Sequence, residues 1–363
     1  MAESNIGISK FNNINGVTCY MGSILHILQQ VPVFADYMYN LSYAQTIKNK
    51  FLDEDKITQT ITYSLWNLFN VSMTHDNISI SPDTFKKNIG LKNSMWNEHR
   101  HQDSQEFFSF LISTLEDELG TKTKFIPGGN MIINKDSQNI TNLLAHMAWE
   151  SFQAKEYSVL KNMFNGMTHL QNQCGCCGNI SDIFEPFTSL QVAIPIDKSS
   201  TKQTEFTLEK CLDEYTKEEQ LDKHNMYNCS FCGVKNRAYK KTLLWRKPKI
   251  LVVHIKRFLT NNYGIRTQKI VNMVKYPLYN FDINKYISIE SNYINDSKYN
   301  LIGVNLHQEF GNGINMGHYT SLVKNRNDNN WYLFNDGKDP IKIMKEEQLY
   351  DKSAYLLFYY LNE

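Results

Sequence analysis

The order of hydrophobic and polar positions predicts a helix early in the chain. Its apolar residues lie three and four positions apart, as on one face of an amphipathic helix: Met21, Ile24, Leu25 and Leu28. A polar turn that contains Gly16 precedes this pattern, so Cys19 falls at the start of the predicted helix. Unpaired N–H groups and the helix dipole favour a thiolate at such a position. Cys19 is therefore a candidate nucleophile, and the alternative is a small buried residue of the core.

A second helical pattern follows Gln102 and Asp103. Apolar residues again recur at spacings of three and four: Phe107, Phe108, Leu111, Ile112, Leu115 and Leu119. They predict a helix of about four turns with one apolar face. Asp103 and Glu106 have the spacing of a capping box, which by itself explains both carboxylates structurally.

The second half of the chain has strand patterns. Residues 249–258 form a β-branched run typical of a central strand, and residues 299–307 begin a final strand region. His254 lies inside the first of these runs and is an alternative base, although a histidine in such a strand is more often a packed side chain. Residues 126–130 contain glycine, proline and asparagine and predict a loop or an insertion.

Two Cys-x-x-Cys pairs, each followed by glycine, predict a metal site. The pairs are Cys174 with Cys177 and Cys229 with Cys232, and the glycines allow the turns that point both sulfurs of a pair inward. Four thiolates fill a tetrahedral zinc and leave no position for water, so we expect a structural Zn²⁺ and not a metalloprotease. Cys176 lies inside the first pair and is an alternative ligand.

Bulk composition narrows the expected partners and location. Of 363 residues, 38 are lysine or arginine and 37 are aspartate or glutamate, so neither nucleic acid nor a membrane is expected as a partner. No apolar run is long enough to span a bilayer, and residues 1–5 lack the basic and apolar regions of a signal peptide. Five of the seven cysteines have roles that require reduced sulfur. We therefore expect an intracellular monomer, cytoplasmic or nuclear, without disulfides.

A nucleophilic cysteine needs a base and a group that orients the base. Residues 16–23 read Gly-x-Thr-Cys-Tyr-Met-x-Ser, residues 102–107 read Gln-Asp-x-x-Glu-Phe, and residues 317–319 read Gly-His-Tyr. Residues 331–336 then read Trp-Tyr-x-Phe-Asn-Asp. In this combination the chain resembles the ubiquitin-specific proteases, the largest family of cysteine deubiquitinases. The resemblance runs from about Asn12 to the C-terminal strand pattern.

The resemblance implies an α+β fold of papain-like thumb–palm–fingers architecture, with a zinc-ribbon fingers subdomain. Residues 1–363 would form a single catalytic domain. Within it, residues 1–160 would be a mainly helical thumb, residues 161–257 the zinc-bearing fingers and adjoining strands, and residues 258–363 a β-rich palm. The body of ubiquitin would be gripped between these parts.

The resemblance also implies catalytic roles. Cys19 would attack the carbonyl of the C-terminal glycine of ubiquitin, and His318 would take and return the proton. Asn335 stands where the family has its third triad residue. The adjacent Asp336 could share or assume that role, because its charge would stabilise an imidazolium more.

The oxyanion site departs from the family pattern. The family has an asparagine five positions before the cysteine, and that position is Ile14 here. Asn13 and Asn15 flank it, as though the turn had gained a residue. We expect Asn13 to supply the amide, with the loop bulging around Ile14 and Asn15. His26, where the family commonly has glutamine, is a further departure that leaves the triad unaffected.

Further residues are implied to line the substrate channel: Gln102, Asp103, His307, Gly317 and Tyr319. The matching glutamine of the family borders the oxyanion site, and the matching aspartate holds the arginine-bearing tail of ubiquitin. Gly317 would let the substrate backbone pass close by. His307 would help to shape a mobile loop at residues 308–317.

Three functions are compatible with these motifs. The first is an active deubiquitinating thiol protease, which uses every triad residue. The second is a ubiquitin-binding pseudoenzyme, which the displaced asparagine permits and the intact Cys19, His318 and Asn335 disfavour. The third is a protease for another ubiquitin-like modifier, because contacts that distinguish the modifiers are spread over the fingers and palm.

Overall fold

The computed structural model describes residues 7–40, 43–51, 53–75, 77–121, 137–154, 157–196, 205–221, 223, 225–261, 263, 265–309 and 317–362. Two segments with predictions lie outside the described residues. One is the predicted loop at residues 126–130, and the other is residues 310–316 of the predicted mobile loop before His318.

The helices of the described chain lie mostly in its first half. They are α1 (Cys19–Leu28), α2 (Pro32–Tyr39), α3 (Ala44–Lys50), α4 (Glu54–Thr58), α5 (Ile61–Thr74), α6 (Asp83–Lys92), α7 (Ser104–Leu119), α8 (Ser137–Ala154), α9 (Val159–Phe164) and α10 (Leu208–Tyr215). Short 3₁₀ turns occupy Ile14–Gly16, Ser94–Asn97, Asn284–Tyr286 and Glu346–Leu349. Among the described residues, no helix combines the length and the apolarity needed to cross a membrane.

The helices predicted around Cys19 and Asp103 are both present. Helix α1 begins at Cys19, and the Asp103 side chain caps α7 by accepting a hydrogen bond from the Gln105 N–H at 2.8 Å. The sequence indicated one apolar face for α1, but every residue of this helix is buried. The reason is that α1 packs against α7 and also against a β-sheet.

The strands of the described chain form one large sheet, one smaller sheet and several short pairs. In chain order they are β1 (Lys10–Phe11), β2 (Ser79–Ile80), β3 (Gly166–Cys174), β4 (Ile180–Phe187), β5 (Leu190–Ala193), β6 (Phe206–Thr207), β7 (Glu219–Gln220), β8 (Tyr227–Asn228), β9 (Lys235–Asn236), β10 (Ala238–Arg246), β11 (Ile250–Lys256), β12 (Phe258–Thr260), β13 (Arg266–Lys269), β14 (Val274–Lys275), β15 (Tyr299–Glu309), β16 (Gly317–Lys324), β17 (Trp331–Phe334), β18 (Ile341–Lys342) and β19 (Ala354–Leu361). The seven-stranded sheet has the order β18-β17-β16-β15-β19-β11-β5, and only its β11–β5 pair is parallel. The four-stranded sheet has the order β4-β3-β10-β7.

Alternation along β11 explains how the seven-stranded sheet is covered on both faces. Ile250 and Val252 belong to the apolar core that contains α1, whereas Leu251 and Val253 belong to a second core on the opposite face. A strand buried on both faces has a continuous apolar sequence, as residues 250–253 have. Helix α1 lies against β15 and β16 of this sheet.

The boundaries expected between thumb, fingers and palm do not all coincide with the ends of these helices and sheets. Helix α9 crosses residue 160, and β5 and β11 of the segment 161–257 pair inside the seven-stranded sheet. The four-stranded sheet of that segment leads to the cysteine pairs, because β3 ends at Cys174. The single domain with boundaries after residues 160 and 257 stays a prediction.

Candidate active site and metal centre

Cys19 is 1% exposed at the first position of α1. Burial raises the pKa of its thiol to about 11; a backbone hydrogen bond from Tyr319 opposes the shift, and the charge of Asp336 adds to it. The thiolate expected at a helix start is therefore not favoured in the resting site, because burial disfavours the charged sulfur more than the nearby N–H groups favour it. A base must take the proton when the sulfur attacks.

His318 lies beside a residue that can orient its ring. Its Nε2 is 2.8 Å from Asn335 Oδ1 and 3.6 Å from Asp336 Oδ2. Strands β16 and β17 are antiparallel neighbours, so the residue that follows β17 returns to the start of β16. Because an amide oxygen only accepts, the neutral ring carries its proton on Nε2 and its basic lone pair on Nδ1.

Asp336 contacts Asn13 as well as facing His318. The Asn13 Nδ2 donates to Asp336 Oδ2 at 3.0 Å. The Asn13 Oδ1 accepts a hydrogen bond from the Thr18 N–H at 2.7 Å, so both ends of this amide are held. Asn13 is thereby fixed at the entry to α1, next to the pair that faces His318.

The turn between Asn13 and Cys19 has a local conformation that accommodates an extra residue. Residues Ile14–Gly16 form a 3₁₀ turn in which Asn15 has a left-handed φ of 53° and Gly16 one of 73°. The Asn15 amide is bonded to His99 Nδ1 at 3.0 Å on the exposed surface. Of the two flanking asparagines, it is Asn13 whose side chain is directed toward Asp336.

The residues predicted for the substrate channel line one cavity of about 210 Å³. They are Gln102, Asp103, His307, Gly317 and Tyr319, and His101, Glu106 and Arg266 complete the lining. Gln102 donates to the Met95 carbonyl at 3.2 Å. Burial, and next the charge of Asp103, raise the pKa of Glu106, which favours its neutral form.

Asp103 already has a cationic partner in this structure. Its Oδ2 accepts hydrogen bonds from Arg266 Nη2 at 2.5 Å and from the Tyr355 hydroxyl at 2.8 Å. The Arg266 guanidinium also lies 4.1 Å from the centre of the Phe258 ring. The Asp103 carboxylate thus connects the hairpin of β12 and β13 to the start of α7.

The structure gives a steric reason for glycine at position 317 that the sequence did not reveal. A Cβ at this position would overlap the imidazole of His307, which lies on the neighbouring strand β15. Burial lowers the pKa of His307 to about 3, so its ring is neutral. His307 also contacts the ring of Tyr319 at a centroid distance of 4.6 Å.

The two cysteine pairs converge at one point. The Sγ atoms of Cys174, Cys177, Cys229 and Cys232 all lie within 4.8 Å of one another. A tetrahedron with Zn–S bonds of about 2.3 Å has edges of about 3.8 Å, and the Cys177–Cys229 and Cys174–Cys232 separations are 3.8 and 3.9 Å. Cys176 is exposed and outside this group. The donor set and its geometry fit a metal ion.

The backbone of each pair supports metal binding. Gly178 and Gly233 have φ values of 71° and 70°, as the predicted turns require. Hydrogen bonds from the backbone of Cys177 and Cys176 lower the pKa of Cys174 to about 7, toward the thiolate that a metal ligand needs.

Comparison with known proteins decides the family. The family model described as "Ubiquitin carboxyl-terminal hydrolase" matches residues 10–359. The chain belongs to the ubiquitin carboxyl-terminal hydrolase family. It is 31% identical to ubiquitin carboxyl-terminal hydrolase 2 of Bos taurus over 99% of this chain and 56% of the relative, and 28% identical to ubiquitin carboxyl-terminal hydrolase Usp2 of Drosophila melanogaster over 98% and 35%.

Solved structures of this family share the fold. The SAGA Ubp8/Sgf11/Sus1/Sgf73 DUB module bound to ubiquitin aldehyde superposes with a TM-score of 0.73 at 22% identity, over 100% of this chain and 71% of that chain. The likeness confirms the predicted α+β fold of the family's catalytic domain. This chain spans 56% and 35% of the length of these two relatives.

Sequence reasoning missed residues that reach the cleft of this ubiquitin carboxyl-terminal hydrolase domain from afar. Arg266 and Tyr355 hold Asp103, and no local motif marks either of them. His26 was expected to leave the triad unaffected, and its ring stacks on Phe334, which precedes Asn335, at a centroid distance of 4.1 Å. Burial lowers the pKa of His26 to about 3, so it packs as a neutral ring.

Proposed function

We propose that this chain is a thiol protease that hydrolyses the bond after the C-terminal glycine of ubiquitin in conjugates or precursors. The observation that carries the proposal is the arrangement around the start of α1. His318 is paired with Asn335, Asn13 is paired with Asp336, and the backbone of Tyr319 hydrogen-bonds the Cys19 sulfur. A nucleophile, an oriented base and a held amide donor are the parts that acyl transfer requires.

In the first step, His318 takes the proton of the Cys19 thiol as the sulfur attacks the glycine carbonyl. The raised pKa of the buried thiol makes this transfer part of the attack, because little thiolate exists beforehand. The imidazolium then protonates the leaving amine, and a thioester remains on Cys19. Water, deprotonated by His318, then attacks the thioester; His318 returns that proton to the leaving Cys19 sulfur, and ubiquitin is released with a free C-terminal carboxylate.

The negative oxygen of each tetrahedral intermediate needs fixed donors. We assign the Cys19 backbone N–H and the Asn13 side chain to this role. An asparagine amide has two N–H bonds, so donation to Asp336 leaves one of them for the oxyanion. Asn335 accordingly orients His318, and Asp336 holds Asn13. The displaced asparagine permitted a pseudoenzyme; the turn that directs Asn13 toward Asp336 supports an active enzyme instead.

Substrate binding would use the cavity beside the triad. The Asp103 carboxylate would hold an arginine of the ubiquitin tail, and that arginine must exchange with Arg266 for the contact to form. Gln102, His307, Gly317 and Tyr319 would line the path of the tail to Cys19. Glu106 also lines this cavity.

The four cysteines of the metal centre would bind Zn²⁺. Such an ion is structural, because it cross-links the turn after β3 to the turn that contains Cys229 and Cys232. The chain's own contribution is the backbone hydrogen bonding that favours the Cys174 thiolate. We also propose the single-domain division described above, a monomeric state, ubiquitinated proteins as partners instead of nucleic acid or membrane, and a reducing cytoplasmic or nuclear location for the seven unpaired cysteines.

Turnover of ubiquitin carrying a C-terminal fluorogenic amide tests the proposal. We expect the parent to release the fluorophore and Cys19→Ala to release none, while Cys176→Ala, which changes an exposed cysteine outside the metal group, keeps full activity. Ubiquitin binding without turnover by the folded, metal-loaded parent would identify a pseudoenzyme. Turnover of only another modifier's fluorogenic amide would identify a different protease.

A further inference from the structure

One buried side chain connects the elements that form the candidate active site. Asn305 lies in the middle of β15 and is 0% exposed. Its Oδ1 accepts a hydrogen bond from the Ser104 hydroxyl at 2.7 Å, and its Nδ2 donates to the Ser23 hydroxyl at 2.8 Å. The Ser23 hydroxyl in turn donates to the Tyr20 carbonyl at 3.1 Å. The amide is therefore satisfied at both ends by side chains of two different helices.

Both serines occupy positions with a direct relation to the site. Ser23 lies one turn after Cys19 on α1, so its hydroxyl moves with the nucleophile. Ser104 is the first residue of α7, directly after Asp103. Any shift of α1 or α7 along the sheet would stretch one of the two bonds of Asn305.

The strand that carries Asn305 also fixes the base. Asn305 pairs with Ser321 of β16, and the same register pairs Gln308 with His318. Helix α1 packs directly on β15 and β16. The Asn305 side chain is thus a polar connection between the helix of the nucleophile and the strand pair of the base.

Packing alone does not require an amide at this position. Leucine has nearly the same shape, and replacing a whole set of hydrogen-bonded partners by apolar groups of the same shape can be nearly neutral, whereas replacing Asn305 alone leaves the Ser104 and Ser23 hydroxyls without this amide. Within the described part of the chain, the neighbouring buried hydroxyls of Thr320 and Ser321 have no hydrogen-bond partner, so polar atoms in this sheet are not always used. What leucine cannot supply is the direction and distance that two hydrogen bonds impose on two helices.

We propose that Asn305 is a positioning residue that sets the distance and angle between Cys19 and His318. It acts through Ser23 and through the register of β15 with β16, and it touches neither the substrate nor the reacting atoms. This inference rests on the proposed thiol protease function. A shift of about 1 Å between nucleophile and base is enough to lower a rate by about 100-fold.

The test compares Asn305→Leu with Ser321→Ala. Ser321 lies opposite Asn305 on β16, and its hydroxyl has no hydrogen-bond partner within the described residues. For Asn305→Leu we expect kcat on the fluorogenic ubiquitin amide to fall by about tenfold or more, with KM within about twofold of the parent value. Ser321→Ala should keep the parent kcat. The rate of Cys19 alkylation by iodoacetamide between pH 7 and 9, read by peptide mass spectrometry, should fall in Asn305→Leu, because a displaced His318 takes the thiol proton less readily as the sulfur attacks.

Two results would overturn the positioning role. One is a folded Asn305→Leu protein with the parent kcat and alkylation profile, and the other is an equal loss in Ser321→Ala. If Asn305→Leu does not fold, Ser23→Ala and Ser104→Ala each remove one bond and decide the question, with losses of kcat expected to be non-additive in the double variant. If the parent itself does not turn over ubiquitin, the proposed function fails, while the alkylation profiles still decide the role of Asn305.

Discussion

The active-site cleft and the metal centre of this chain are assembled in opposite ways. The metal centre takes its ligands from two short segments, and in each segment a single glycine-containing turn places both sulfurs. The cleft takes Cys19 from α1, His318 from β16 and Asn335 from the end of β17. Local spacing is therefore enough to predict the metal centre, whereas the cleft depends on how helices and sheet pack together.

The two sites also differ in what holds them. Four thiolates at tetrahedral separations repel one another, so a cation between them would stabilise the group. In the cleft, neutral and ionic hydrogen bonds fix the parts: His318 to Asn335, Asn13 to Asp336 and Asp103 to Arg266. Removing a metal should therefore destabilise the region around the four cysteines. Removing one hydrogen bond of the cleft should instead lower the rate of one chemical step.

The largest effect after loss of the nucleophile is expected at the oxyanion site. Asn13→Ala should lower kcat by about 10²- to 10³-fold, because it removes the side-chain donor that we propose for the oxyanion. Asn15→Ala is the matched control, since that amide is bonded to His99 on the surface, and it should keep the parent kcat. Steady-state turnover of the fluorogenic ubiquitin amide checks both variants. A large loss in Asn15→Ala instead would reverse the assignment.

The resting protonation of Cys19 gives a second test of the cleft. Its pKa of about 11 means that the thiolate fraction rises about tenfold for each pH unit between 7 and 9. Alkylation of Cys19 by iodoacetamide in the absence of substrate should therefore rise steeply over this range without a plateau. A plateau near neutral pH would instead indicate a preformed thiolate and imidazolium pair.

Loss of a ligand at the metal centre should lower stability and leave the reactivity of Cys19 unchanged. Cys229→Ser should lower bound zinc and the melting temperature, because one of four thiolates is lost, while Cys19 alkylation stays at the parent rate. Cys176→Ser should change neither, since Cys176 is exposed and outside the metal group. Metal analysis and differential scanning calorimetry measure the outcome. A Cys229→Ser protein with full zinc content would exclude this ligand set.

The smallest effect is expected at Asp103, because this residue already pairs with Arg266 of the same chain. Arg266→Gln removes the guanidinium that pairs with Asp103, so a tail arginine no longer has to displace it. KM for the ubiquitin substrate should fall by about threefold at an unchanged kcat. A change of this size corresponds to the free energy that a partly exposed ion pair contributes. Thr267→Ala, on the same hairpin, is the control. A rise of KM in Arg266→Gln would mean that Arg266 aids binding instead.

These contrasts explain which features could be predicted from the sequence. The start of α1 at Cys19 and the capping of α7 by Asp103 follow from residues close together in the chain. Arg266 reaches Asp103 only through the hairpin of β12 and β13, and Tyr355 reaches it from β19. No local pattern encodes such contacts, because they are created by packing between distant elements.

The environment of Cys19 was likewise not predictable from the helix alone. A helix start favours a thiolate, but all ten residues of α1 are buried, and that burial raises the pKa of Cys19. The sequence pattern indicated a single apolar face because Ser23 and His26 are polar. In the structure Ser23 bonds with Asn305, and His26 stacks between Phe11 and Phe334.

Labelling by ubiquitin with a C-terminal propargylamide tests the central claim most directly. The account predicts one covalent ubiquitin adduct per chain, mapped by peptide mass spectrometry to Cys19, in the parent and in Cys176→Ser, and no adduct in Cys19→Ala. The absence of an adduct in folded, metal-loaded parent protein, or an adduct on any other cysteine, would contradict the claim that Cys19 is a nucleophile directed at ubiquitin.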